Sequence, residues 1–465
     1  MKLQVGFLLF ALQLTAAASD KRFKHLGALH KRQNTTPVTS ATSSASGAPS
    51  SAPAGTTSIP TTIPTNIPTP TASGIPPLSQ ITSGMSSQAT QPVTTTYKAG
   101  ASPPVSGAPS LPTSFVFKAS DWPLQDKIPD TNSPEVQEWL KELDGFDIPT
   151  FSPTADGSCA GDPAAAADSA NRGWWTCGGH VRSTDITACP DKLTWGVSFD
   201  DGPSPYTQSV LNNKTLLNYL TQKDIHATFF VVGSRVIERP TVLLEQYMSG
   251  HEISVHTWSH KPLTSLTTEQ IVAELGWTRK AIRQILGVTP TTMRPPFGDI
   301  DDRVRAISLA MGMVPIIWTR TPGGGVFDTN DWRVAAGQVT GLQSYATFQT
   351  ILSNATSIDT GFIVLQHDLF AITVDLAIGY TLDAALNHNP KFNLKPIGQC
   401  MKLPTSDLYL ESTTNKTFPY TNHTVDINGD GKPESPGSGN AGFTNAIPTF
   451  SVLYLGGLAA LFSLL

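Results

Sequence analysis

Charged residues are scarce in this chain: Asp, Glu, Lys and Arg make up 14% of its 465 residues, and the net charge is −5. There is no basic footprint for nucleic acid and no run of like charge for a polyelectrolyte, which leaves a neutral polymer or a small molecule as the partner class. Cysteine is limited to Cys159, Cys177, Cys189 and Cys400, so at most two disulfides can form. Hydrophobic residues reach only 39%, against 37 Gly and 37 Pro. Length alone would allow two or three domains, but so much uncharged, breaker-rich sequence argues for one sizeable domain with long flanks.

Long apolar runs are missing except at the two ends. Met1-Lys2, the run Leu3 to Leu14 and the small residues up to Ser19 have the order of a secretory leader, so residues 1–19 are expected to be removed. Lys31-Arg32 is either a processing site or a solvated basic pair, which makes 20–32 a candidate pro-region. At the far end, small residues around Asn440, a short polar spacer and an uncharged tail from Ile447 to Leu465 form the pattern of a glycosylphosphatidylinositol signal. On this reading the lipid is attached at Asn440 and residues 441–465 are lost. A transmembrane helix is the other reading of the tail, disfavoured by Pro448 and Gly456-Gly457.

Export fits the cysteines, which in an oxidising compartment pair two by two. Three pairings are possible, and the expectation is Cys159 with Cys177 and Cys189 with Cys400, the second joining the two ends of the domain. Sequons at Asn34, Asn213, Asn354, Asn415 and Asn422 add N-glycan acceptors. Residues 33–114 are rich in Ser, Thr, Pro, Ala and Gly, which predicts an O-glycosylated spacer without a fold of its own. A lead-in at 115–176 follows, with a short helix at Pro134–Leu143 capped by Ser133. Residues 404–440 read as a polar glycosylated tail.

Between these flanks, at 177–403, apolar strands alternate with helices. Leu193–Phe199, His226–Val232, Glu252–Val255, Val314–Trp318 and Gly361–Gln366 read as strands. Leu216–Lys223, Thr241–Met248, Ala346–Ser353 and Thr381–Asn387 read as helices. A capping box at Thr267–Gln270 opens another that stops at Gly287, with Ile271, Leu275, Ile282 and Ile285 on one face. The alternation predicts a parallel α/β domain, either barrel or open sheet.

Five segments place reactive groups just after such strands, where loops gather in α/β folds. Asp200-Asp201-Gly202-Pro203 offers two adjacent carboxylates, one for a metal and one for substrate. His256-Thr257-Trp258-Ser259-His260 sets two imidazoles four apart, on one face if the segment is helical. No Glu follows the first His, so a general base must come from elsewhere, and Asp200 is available. Arg294-Pro295-Pro296-Phe297-Gly298 holds an Arg rigidly. Asp328–Trp332 supplies acids able to orient a His or Arg, and Leu365-Gln366-His367-Asp368 ends a strand with a His placed as proton donor. Of the other histidines, His180, His226, His251 and His388 read as structural or exposed, and His25, His30 and His423 fall in the flanks.

In this order and spacing the five segments resemble the motif set of the polysaccharide deacetylases of carbohydrate esterase family four, over roughly Cys177 to Leu403, and the chain as a whole resembles the fungal members that act on chitin. The resemblance implies an irregular (β/α) barrel, α/β in class, which would settle the choice the strand pattern leaves open. It further implies that Asp201, His256 and His260 bind a divalent metal, Zn²⁺ or Co²⁺, with Asp200 as base and His367 as acid. Arg294 would hold Asp200, and Asp331 would tune His367. Trp332 and Leu365 would wall the acetyl pocket, and the main-chain N–H of Phe297 would meet the oxyanion. Phe297 stands where many members have Tyr, a change that leaves a main-chain role intact. The implied partners are chitin or its oligomers and the wall polysaccharide around them, with the plasma membrane reached through the lipid. Peptidoglycan, poly-N-acetylglucosamine and acetylxylan are alternative substrates, and a non-catalytic wall mannoprotein is a rival class. A glycoside hydrolase built on Asp200 and Asp201 is disfavoured, because adjacent carboxylates rarely reach the separation of about 5–9 Å that such chemistry needs.

Overall fold

The computed structural model describes residues 67–70, 72, 74–83, 97–208 and 215–415. The leader, the dibasic pair, Asn34, Asn213, Asn422, Asn440 and the apolar tail lie outside these residues. Seven strands form one parallel sheet: β1 Thr194–Asp200, β2 Thr228–Val231, β3 Glu252–Val255, β4 Thr292–Met293, β5 Val314–Pro315, β6 Phe362–Ile363 and β7 Asn393–Pro396. The order is β5-β4-β3-β2-β1-β6. β7 lies beside the first half of β1 and β2 beside the second. Every residue of β1, β2 and β3 is buried; β1 and β2 accordingly read as mainly apolar runs, whereas β3 alternates Glu252 and Ser254 with Ile253 and Val255 and buries the polar pair as well.

The sheet curls until its ends meet. Beyond β5, the N–H of Thr319 donates to the carbonyl of Ile363 in β6 (3.0 Å), and the N–H of Ile363 donates to Thr319 Oγ1 (2.9 Å). Phe327 and Leu365 extend the seam upward. This is an irregular barrel. β5 and β6 are only two residues long, so the expected strands Val314–Trp318 and Gly361–Gln366 are mostly loop that keeps a few ladder bonds. The capping box at Thr267 and Gln270 is present, and its helix runs Thr268–Leu286 to a left-handed Gly287. A second box, Thr340 with Gln343, opens a helix at Gly341–Ser357 that is longer than the sequence pattern suggests.

The disulfides join Cys159 to Cys177 and Cys189 to Cys400. The second lies across the small face of Gly196 in β1, where an added Cβ would come within 3.1 and 3.2 Å of the two sulfurs.

The packed unit is wider than 177–403. Ile75, Leu78, Ile81, Val105 and Leu111 belong to the expected spacer, yet all are buried. Tyr380 Oη donates to the carbonyl of Pro76 (2.6 Å), and Gly341 N–H to that of Ile81 (3.0 Å). A few apolar residues in a tract polar on average are enough to dock it. The lead-in is packed as well. Trp139 of the helix Pro134–Trp139 lies so close to Gly276 that an added Cβ would sit 2.1 Å from its ring, and Glu142 pairs with the buried Arg279. On the C-terminal side Leu408 and Tyr409 are buried, and Tyr409 Oη accepts the N–H of Ile253 (3.0 Å). Among the described residues no helix is long and apolar enough to cross a membrane.

Candidate active site

All five segments meet at the C-terminal ends of the strands, and their polar groups are buried. β1 ends on Asp200, whose N–H donates to Gln366 O (3.0 Å) and whose carbonyl accepts from Asp368 N (3.1 Å). Those two bonds tie the Asp200-Asp201 pair to the segment that carries His367. Asp201 has φ of 79°, a left-handed turn that sends its carboxylate a different way from that of Asp200.

Asp201 Oδ1 lies 3.3 Å from His256 Nε2 and 3.0 Å from His260 Nε2. Asp201, His256 and His260 each offer a ligand atom, all within 4.8 Å of one another. The segment between the two histidines is not a helix. Thr257 (φ 64°) and His260 (φ 56°) are both left-handed, and the loop brings the ring centroids to 5.0 Å. The donor set fits a divalent cation. His256 Nδ1 lies 2.7 Å from the carbonyl of Arg294, which can only accept, so the proton sits on Nδ1 and the lone pair of Nε2 faces the cluster.

Arg294 is fully buried. Its Nη1 donates to Asp200 Oδ1 (2.6 Å) and Ser198 Oγ (3.0 Å), and its guanidinium lies 3.9 Å over the ring of Phe230. Burial pushes the guanidinium pKa down, and the charge of Asp200 opposes this. Asp331 accepts from both the Nδ1–H and the main-chain N–H of His367, at 2.7 and 2.8 Å. Burial would lower the pKa of His367, but Asp331, with smaller help from Asp201 and Asp200, raises it to about 10. Phe297 is left-handed (φ 62°), and its ring lies 4.7 Å from that of His260. Leu365 is buried in the seam, and Trp332 Nε1 donates to Asp328 (3.3 Å), whose carboxyl burial lifts to about 6.

Three buried acids around this centre escaped the sequence reading. Asp368 accepts from Gly202 N–H (3.0 Å) and Thr207 Oγ1 (2.6 Å), and burial raises it to about 7. Asp299 accepts from Trp174 Nε1, Thr176 Oγ1 and both donors of Thr264, bracing the lead-in against the loop that follows Arg294. Glu274 holds the loop between the two histidines. Asp368 had a signal in sequence, since it directly follows His367, and Glu274 a fainter one, as an acid on the core-facing side of the helix Thr268–Leu286. Of the two described sequons, Asn354 lies half-buried on the helix Gly341–Ser357, and Asn415 is exposed.

A family model described as polysaccharide deacetylase matches residues 187–316. Chitin deacetylase 1 of Cryptococcus neoformans var. grubii is 51% identical over 352 residues, covering 75% of this chain and 73% of that protein. The chain belongs to the polysaccharide deacetylase family. The chitin deacetylase of Amylomyces rouxii is 34% identical over 57% of this chain and 63% of its own length. A solved chitin deacetylase from Colletotrichum lindemuthianum aligns with 51% of this polysaccharide deacetylase at 24% identity, over its whole length, with a TM-score of 0.42.

Proposed function

We propose that this polysaccharide deacetylase removes acetyl groups from chitin, by hydrolysis of the N-acetyl amide to a free amine and acetate. One observation carries the reading: the trio Asp201, His256 and His260 is buried at the same strand ends as a carboxylate held by Arg294 and an imidazole held by Asp331. Zn²⁺ suits two imidazoles and a carboxylate, and Co²⁺ would serve in its place. Such an ion polarises the acetyl carbonyl and lowers the pKa of water to about 7.

The chain's own groups supply the remaining chemistry. Asp200, fixed by Arg294, accepts the proton of the attacking water. His367, protonated through its pairing with Asp331, gives a proton to the departing glucosamine nitrogen. The N–H of Phe297 faces the developing oxyanion, and loss of one such donor costs roughly 10²–10³ in rate in other enzymes. Trp332 and Leu365 close around the acetyl methyl. Chitin is favoured over other acetylated polymers by the names of the relatives, among them the Cryptococcus protein at 51% identity. The leader, spacer and C-terminal signal pattern favour secretion and lipid anchoring at the cell surface, with Asn440 as attachment site.

The two adjacent acids test these roles. Asp201→Ala should lose bound metal and regain some turnover with excess Zn²⁺ or Co²⁺. Asp200→Asn should keep its metal, lose roughly 10²–10⁴-fold in rate and show no rescue. Metal per chain and acetate released from a chitin oligomer are measured together. The roles fail if Asp200→Asn loses the metal while Asp201→Ala keeps it.

A further inference from the structure

Glu274 lies beyond the His256–His260 segment in sequence, yet its carboxyl is committed to that segment. It sits in the second turn of the helix Thr268–Leu286 with no exposed surface. One oxygen, Oε2, accepts two consecutive main-chain donors, Trp258 N–H (2.8 Å) and Ser259 N–H (2.7 Å). The other, Oε1, accepts the hydroxyl of Ser259. These donors belong to two of the three residues between His256 and His260.

The loop they clasp has little reason to keep its shape unaided. Thr257 and His260 are β-branched and aromatic residues in left-handed conformations, each disfavoured by about 1–3 kcal/mol. Inside the loop, His260 N–H reaches Thr257 Oγ1 at 3.2 Å. From outside, Trp258 is gripped on both sides. Its indole N–H donates to the carbonyl of Leu124 (3.1 Å), and its ring stacks on Trp122 at 6.2 Å with the planes 3° apart. Glu274 supplies the carboxyl group of this grip. Its helix is itself anchored: Thr278, next along the same face, lies against Gly233, and Arg279 pairs with Glu142.

We propose that Glu274 is a positioning residue for the metal centre. It holds the His256–His260 loop in the one conformation that presents both imidazoles to a single cation, and so sets metal affinity while touching neither metal nor substrate. This rests on reading Asp201, His256 and His260 as ligands. Partners that fix ligand geometry are typically worth 10–100-fold in metal affinity, and a clasp acting on main-chain N–H groups should fall at the lower end.

The test compares Glu274→Ala with Glu274→Gln. The amide oxygen of Gln can still accept both N–H groups, while its NH₂ donates to the hydroxyl of Ser259, which can rotate. Zn²⁺ affinity is measured on the whole secreted protein by competition with a chromophoric chelator, and geometry by the visible absorption of the Co²⁺-loaded form. Glu274→Ala is expected to bind Zn²⁺ about 10-fold more weakly and to alter the Co²⁺ spectrum. Glu274→Gln should stay within about 3-fold of the parent on both counts. If Glu274→Ala does not fold, Glu274→Asp, one methylene too short to reach both N–H groups, replaces it with the same expected loss.

A lower melting temperature with unchanged Zn²⁺ affinity and Co²⁺ spectrum would make Glu274 structural only and overturn the proposal. Equal losses in Gln and Ala would assign the effect to charge and overturn it as well. If Asp201→Ala binds Zn²⁺ as tightly as the parent, the ligand assignment fails instead, and the two failures are told apart by that control.

Discussion

The two disulfides should contribute unequally, and the structure sets the size of the difference. Cys159–Cys177 spans 18 residues, whereas Cys189–Cys400 spans 211 and closes almost the whole barrel. In the chain-entropy account a cross-link restricts the unfolded chain by an amount that grows with the logarithm of the loop, giving about 3 kcal/mol for the short loop and about 5 kcal/mol for the long one. Packing widens the gap. Cys189 and Cys400 are 0% and 2% exposed against Gly196, so replacing them with Ala also leaves a small void. The assay is guanidinium unfolding of the C159A/C177A and C189A/C400A double variants, followed by tryptophan fluorescence and far-ultraviolet circular dichroism. The long-loop variant should lose at least about 2 kcal/mol more than the other, or fail to accumulate as folded protein. Equal losses, or a larger loss for C159A/C177A, would refute the reasoning.

Burial raises Glu274 to about 7 and Asp299 to about 6 despite the donors around them. Each therefore binds its proton more tightly folded than unfolded. That stabilisation is complete below pH 4 and lost as pH rises through 6 and 7, on the order of 3 kcal/mol per acid at most. Unfolding free energies at pH 4.5 and 7.5 should fall in that order, with a shallower fall in Glu274→Gln and Asp299→Asn; an unchanged slope in both variants would contradict it. Asp331→Asn leaves one oxygen where His367 now has two acceptor atoms, so the alkaline limb of kcat/KM should move down by more than one pH unit from the region of 10, with a rate loss of roughly 10²–10⁴-fold. A limb that stays in place would remove Asp331 from its role. Gly276→Ala would drive a Cβ into the ring of Trp139, and overpacking of this kind costs about 1–3 kcal/mol. Limited proteolysis should then cut residues 115–143 of the lead-in at low denaturant, and an unchanged digest would show that this part does not need Trp139.

The strands most legible in the sequence were those buried on both faces, because LTWGVSF and HATFFVV leave no solvent-facing alternation to confuse them. β4 and β7 gave no comparable signal. A two-residue strand such as Thr292–Met293 is made by its neighbours' ladder bonds, not by its own residues. The five polar segments were visible because each is short and follows a strand. Their geometry was not: Asp201, Thr257, His260 and Phe297 are left-handed without being glycine, and no propensity announces that. Glu274 and Asp299 act across gaps of 15 and 35 residues, so their partners appear only once the chain is folded. An acid among Ile271, Leu275 and Thr278 on a core-facing helix was the single trace of the first. The docked part of the Ser/Thr/Pro tract was hidden by averaging, since five residues, Ile75, Leu78, Ile81, Val105 and Leu111, carry its apolar burial.

Where the chain leaves the barrel also bears on what the enzyme can reach. Leu410 N–H bonds to the carbonyl of Thr289, and Thr291 N–H to that of Leu408, just ahead of β4, so the outgoing segment runs past the strand beginnings. Residues 107–112 lie beside it: Gly107 faces Ser412, and Pro109 and Pro112 flank Gly287. The five polar segments gather at the opposite pole, at the strand ends. The outgoing segment closes the barrel at its floor, so a polysaccharide crossing the mouth does not meet this stretch of the chain.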